Sequence, residues 1–195
     1  MRKWKRVDTA NGPRFRAALD QHEAALLHNM AGSVVGMLDA REASTPTDEL
    51  QQITGMRTGH SGPPEDATMA RLLPDFFRLQ TSHPAGSGHA DSLNSALRSL
   101  HEPEIIDAKR EAAQRLLDTC PVAGGRFEIS EEDANAWIAA VNDIRLALGT
   151  MLEIGPEGLD RLPANHPLAG HLDVYQWLTV LQEYLVLALM DKPVR

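Results

Sequence analysis

Apolar residues recur at helical spacing in three long runs. In the first, Leu27, Met30, Ala31, Val34 and Leu38 follow Asp20 and Glu23, a D-x-x-E pair suited to capping a helix start. In the second, Ser130 with Asp133 caps a run whose stripe is Trp137, Val141, Ile144, Leu148 and Met151. In the third, Asp173 and Gln176 form a D-x-x-Q box ahead of Val174, Trp177, Leu178, Leu181, Tyr184, Leu185, Ala188 and Leu189. Between them, DATMARLL predicts a short helix stopped before Pro74, and DSLNSALRSL a modest one. A longer helix is predicted from Pro103, a favoured first position, through Ile105, Ile106, Lys109, Ala112, Ala113, Leu116 and Leu117.

Strand signals are short. Trp4 to Val7 and Arg14 to Phe15 flank DTANGP, whose Asn-Gly pair predicts a hairpin turn, and GGRFEI predicts a further strand near 126–129. The fold class expected is therefore mainly α: a helical bundle with a small sheet made of the N-terminal hairpin and that strand. Residues 1–195 read as a single domain with flexible loop insertions at about 42–65 and 80–92, where Ser, Thr, Gly and Pro concentrate; a short helix over Asp48 to Ile53 is the most the first loop suggests. Gly32 and Gly36 stand one turn apart and lower helix propensity, which predicts close approach by another element. A shift of 110 residues places Leu19, Asp20, Leu27, Ala31, Val34 and Leu38 on Ile129, Ser130, Trp137, Val141, Ile144 and Leu148, an echo that any two capped amphipathic helices produce.

Charge changes this picture locally. Residues 2 to 16 hold Arg2, Lys3, Lys5, Arg6, Arg14 and Arg16 against Asp8, a local +5 that leaves −13 for the rest of a chain whose net charge is −8. An acidic body disfavours general nucleic-acid binding. Only Arg2, Lys3, Lys5 and Arg6, with Trp4 available to stack, offer a weak basic contact, and a solvated strand face is the plainer account of them. No apolar segment follows the basic N-terminus and YLVLALM is too short to span a bilayer, so a cytoplasmic protein with no membrane contact is expected.

The second helix carries the most unusual side chains. Asn142, Asp143 and Arg145 interrupt an apolar run, and residues two apart on a helix do not face each other, so Asp143 and Arg145 need partners on other elements. One reading is a structural network in which Arg145 fastens neighbouring segments; the other is a ligand-binding or acid–base pocket at Asn142, Asp143 and Arg145, with Asp173, His166 and His171 as possible additions. Two histidines five apart in a Pro-Gly loop lack ligand spacing, so no metal is expected. Cys120, the only cysteine, excludes an internal disulfide; at the negative end of a helix its thiol is expected to be a poor nucleophile, which makes it a weak redox candidate. No phosphate loop, nucleophile elbow, metalloprotease or kinase motif occurs, so no catalytic residue and no cofactor are assigned.

The stretch ISEEDANAWIAAVNDIRLALGTMLEI, followed by DVYQWLTVLQEYLV, resembles the actinobacterial domain-of-unknown-function family DUF2017. Its most specific part is the pattern from Trp137 to Gly149, and the N-terminal hairpin, LDQHEAALL and the helix from 103 to 119 are similar as well. The resemblance implies a cytoplasmic protein of unassigned activity, often encoded beside the Clp protease adaptor. It also implies a regulator linked to thiol-dependent oxidative-stress control of transcription, an idea that asks for a cysteine pair this chain lacks. The function expected is a non-enzymatic regulatory module that binds an unidentified protein partner in transcription or stress control, with a homo-oligomer left open. The alternative is a small-molecule binder or enzyme.

Overall fold

The hairpin closes over Ala10 and Asn11. In the computed structural model, which describes residues 2–46, 55, 57–77, 87–155 and 167–192, β1 (Arg2–Thr9) and β2 (Gly12–Leu19) pair antiparallel with Thr9 opposite Gly12. Gly12 takes φ +96° while Ala10 and Asn11 stay at negative φ, the pattern of a type I turn with a glycine bulge instead of a primed turn. β3 (Gly125–Ser130) joins β2 antiparallel, Phe15 facing Ile129, to complete a three-stranded sheet in the order β1-β2-β3. Five helices complete the elements of the described residues: α1 (Gln21–Ala43), α2 (Ala67–Leu72), α3 (Ser87–Thr119), α4 (Glu131–Met151) and α5 (Ala169–Leu189). The protein is thus mainly α with a small sheet.

Two caps form as their sequences predict. The Asp20 carboxylate accepts from the Glu23 amide at 2.8 Å while Glu23 accepts from the Asp20 amide at 2.9 Å, and Ser130 with Asp133 makes the same reciprocal box at the start of α4. Each follows directly on a strand end, and the two strands are sheet neighbours, so the echo between residues 19–38 and 129–148 has a structural counterpart in two strand–cap–helix segments. Their aligned apolar residues, from Leu27 to Leu38 and from Trp137 to Leu148, are all buried.

The chain divides into two compact units, Met1–Val35 with Lys109–Arg195, and Gly36–Ala108; α1 and α3 each contribute residues to both. In the first unit the inner sheet face, with Trp4, Phe15, Ala17, Leu19 and Ile129, is buried, and α4 packs near β2 and β3. Trp4, Phe127 and Trp137 form an aromatic cluster with ring centroids 5.4–5.5 Å apart, and Trp137 Nε1 donates to Thr119 Oγ1 at 2.7 Å. α5 lies along α4 and against β1, burying Leu178, Leu181 and Leu185.

Four local expectations are corrected. Met151, assigned to the α4 stripe, is 55 % exposed because it is the last helical residue, beyond the packed turns. α5 starts at Ala169, without a side-chain cap, so Asp173 and Gln176 stand inside the helix instead of forming its box. Gly32 and Gly36 are exposed and a Cβ on either meets nothing within 4 Å, so no element packs closely there among the described residues. And α3 is continuous across Pro103, with residues 87–92 as its first turns, where two helices and a preceding loop were expected.

The last correction has a physical cause in the second unit. Proline lacks an amide hydrogen, so the carbonyl four residues earlier, that of Ser99, loses its helical donor. The Gly59 amide takes its place at 2.8 Å. Gly59 comes so close that a Cβ would sit 2.9 Å from Pro103 Cδ. The proposed short helix at 48–53 and His166 lie outside the described residues.

Candidate functional site

The polar side chains of α4 reach two different helices. Asp143, only 4 % exposed, accepts from Lys109 Nζ of α3 at 2.6 Å. Burial pushes its carboxyl above the usual carboxylate range, and Lys109 only partly opposes this. Arg145, two residues on and about 200° round the helix, points to α5. Its Nε donates to Thr179 Oγ1 at 3.1 Å, its Nη1 to Gln182 Oε1 at 2.6 Å, and its Nη2 reaches the Tyr175 hydroxyl at 3.5 Å. The guanidinium carbon lies 5.3 Å from the Tyr175 ring centroid, a cation–π distance. Gln182 in turn donates to the Ile138 carbonyl at 3.0 Å, returning the contact to α4. Asn142, next to Asp143 and three residues before Arg145, is half-buried.

Asp173 stands apart from this group. It is exposed and, with His22, Glu23, Leu26, Val174 and Trp177, lines a depression of about 320 Å³. His171 is exposed on α5, and no cluster of three or more His, Cys, Asp or Glu is placed to hold a metal among the described residues.

The N-terminal cations separate onto two faces. Arg6 is half-buried on the inner side, where it pairs with Asp8 at 3.1 Å and donates to the Leu189 carbonyl at 3.4 Å. Trp4, considered as a stacking residue, is buried in the aromatic cluster. Lys5 is exposed on the outer face, and the register sets it opposite Arg16, Arg16 opposite Glu128, and Ala18 opposite Arg126. Arg14 shares that face by the two-residue period of β2. Arg2 and Lys3 lie in β1, their side chains outside the described residues. Arg126, more than a hundred residues from Lys5, joins the cationic face only through strand pairing, which the sequence does not specify.

Cys120 is 3 % exposed, and burial pushes its thiol up to about 11. Its carbonyl oxygen accepts from His28 Nε2 at 3.0 Å, joining the end of α3 to α1.

A charged cluster in the second unit goes unsignalled in the sequence except by the i, i+4 spacing of Arg98 and Glu102. Both are 1 % exposed. Glu102 accepts from Arg98 at 2.9 Å and from Arg41 at 2.8 Å, Arg98 also holds the Leu73 carbonyl and Asp75, and Arg41 holds the Gly62 carbonyl. Two guanidinium groups thus share one buried carboxylate and use their other donors to pin the irregular segment around α2 to α1 and α3. Chemically this is a clamp: the donors are spent on carboxylates and backbone carbonyls.

No helix among the described residues is long and apolar enough to cross a membrane. No solved structure matches the chain. Among proteins of known name, it is 65 % identical over 193 residues to the Mycobacterium tuberculosis protein named oxidative stress regulator AosR, covering 97 % of this chain and 88 % of that one. It is 61 % identical over 193 residues to the Mycobacterium leprae protein named putative oxidative stress regulator AosR, covering 97 % and 89 %. The family described as Domain of unknown function (DUF2017) matches residues 1–189, so the resemblance carried by Trp137 to Gly149 extends along nearly the whole chain, and the protein belongs to that family.

Proposed function

We propose that this protein is a cytoplasmic regulator of the oxidative-stress response that acts without catalysis, by binding another protein that controls transcription. The observation that carries this reading is the 65 % identity, over 97 % of the chain, to a protein named an oxidative stress regulator. Two features of the geometry support it. The charged groups of α4 are engaged with α3 and α5, an arrangement that fits a scaffold better than a reactive centre. Cys120 is the only cysteine and is buried with a raised thiol pKa, so the stress signal reaches this chain through a partner more readily than through its own sulfur.

Deletion of the gene, with transcripts profiled before and after peroxide, tests the reading. A response that depends on the gene and returns on complementation is expected; an unchanged response would overturn it. The rival reading, a ligand or catalytic pocket at Asn142, Asp143 and Arg145, predicts that Arg145→Lys preserves melting temperature but abolishes function. On the scaffold reading Arg145→Lys lowers the melting temperature, because lysine cannot span Thr179, Gln182 and Tyr175 together.

A further inference from the structure

We propose that the outer face of the three-stranded sheet is a docking surface for an acidic protein segment; this rests on the reading that the protein works by binding another protein. Lys5, Arg14, Arg16 and Arg126 project from three adjacent strands on a chain whose net charge is −8. Arg16 is paired with Glu128, whereas Lys5, Arg14 and Arg126 have no carboxylate partner among the described residues.

The face has a shape as well as a charge. Ala18 occupies the outer-face row of Arg126, so a methyl group forms a floor between long cationic side chains. Lys5, Arg16 and Arg126 line an open depression of about 700 Å³ around it, together with Glu128, whose charge is answered by Arg16. Side chains on one face of a strand repeat at about 7 Å and neighbouring strands lie about 5 Å apart. An extended segment with carboxylates two residues apart has the same repeat, so successive acids meet successive cations in register.

Protein fits this surface better than nucleic acid. A duplex would lay a dense row of phosphates along an acidic chain of net charge −8, and the three cations without a carboxylate partner, Lys5, Arg14 and Arg126, release too few counterions to offset that repulsion. Among the described residues the one aromatic side chain beside the depression, Phe127, is stacked with Trp137 on the inner side and is not offered to a base.

Fluorescence anisotropy at low salt tests the proposal with three labelled probes: an alternating Glu-Ser decapeptide, the same peptide with Lys for Glu, and a short DNA duplex. Binding of the acidic peptide alone is expected, weakened about a hundredfold in the double variant Lys5→Glu/Arg126→Glu by like charges facing across the interface. Circular dichroism verifies folding, and Lys5→Gln/Arg126→Gln replaces the reversal if it unfolds. Equal affinity of wild type and variant for the acidic peptide, absence of peptide binding, or tighter binding of the duplex would each overturn the proposal. In cells the double variant should lose the peroxide response; a response that persists in the variant but disappears on gene deletion would overturn the docking surface while leaving the regulatory reading in place.

Discussion

At the scale of single residues, burial decides chemistry. With its thiol pushed up to about 11, Cys120 carries only about 0.1 % thiolate at pH 8, against a sizeable fraction for an unfolded cysteine. Alkylation of the native protein should therefore be at least about a hundredfold slower than that of the unfolded chain in guanidinium; comparable rates would show the sulfur to be accessible. Asp143 behaves in the opposite sense to a salt-bridged surface carboxylate. Its folded-state pKa is raised, so its contribution to stability is complete below the ordinary value of 3.8 and is lost as pH rises through the folded value. Relative to Asp143→Asn, the wild type should be least stable at neutral pH and improve on acidification toward 3.8, measured by urea unfolding at several pH values. A difference that is flat or of opposite sign would remove burial as the dominant cause. The ion pairs of Glu102 and Glu128 separate by burial as well. Glu102→Ala removes the buried carboxylate that Arg98 and Arg41 share, leaving Arg98 only the half-exposed Asp75, and should cost about 3–5 kcal/mol, while Glu128→Ala breaks an exposed pair and should cost no more than about 1 kcal/mol.

At the scale of elements, glycines report what each helix touches. No described residue lies within 4 Å of a Cβ at Gly32 or Gly36 on α1, so alanine at either position should stabilise the protein by up to about 1 kcal/mol through helix propensity alone. Gly124 is the contrary case. It takes φ +73° and a Cβ there would lie 2.7 Å from the Asp20 carbonyl carbon, so Gly124→Ala should destabilise by about 1–3 kcal/mol. Thermal melting of the three variants checks both signs. α3 shows how a helix keeps a proline: the carbonyl that Pro103 leaves unpaired is taken by Gly59, a backbone donor from a loop. The local text of α3, a proline after a polar stretch, reads as a helix start because the compensating donor lies 40 residues earlier at a position no helical period reveals.

At the scale of the whole molecule, α1 and α3 each belong to both compact units, so neither unit has a complete set of helices without the other's chain. We propose that residues 1–195 unfold as one cooperative domain. Trp4, Trp137 and Trp177 all lie in the first unit, so fluorescence follows that unit while far-ultraviolet circular dichroism follows both. Coincident urea midpoints are expected; a separate second transition by circular dichroism would show two domains.

What the sequence determined by itself was the fold class, two of the three capping boxes, the buried stripe of α4 from Trp137 to Leu148 and the buried positions Leu27, Ala31, Val34 and Leu38 of α1, the three strands, and the family signature from Trp137 to Gly149. These are local: hydrophobic period, caps and turns act within a few residues. It also showed that Asp143 and Arg145 cannot satisfy each other, since that follows from helical geometry alone. Only the tertiary structure decided that Lys109 answers one and Thr179 with Gln182 the other, that Arg98, Glu102 and Arg41 share a buried cluster, and that Arg126 joins Lys5 on one sheet face. Each of these depends on which elements pack and in what register, and the free energy that selects a register is spread over the buried surface instead of being written at the positions that meet.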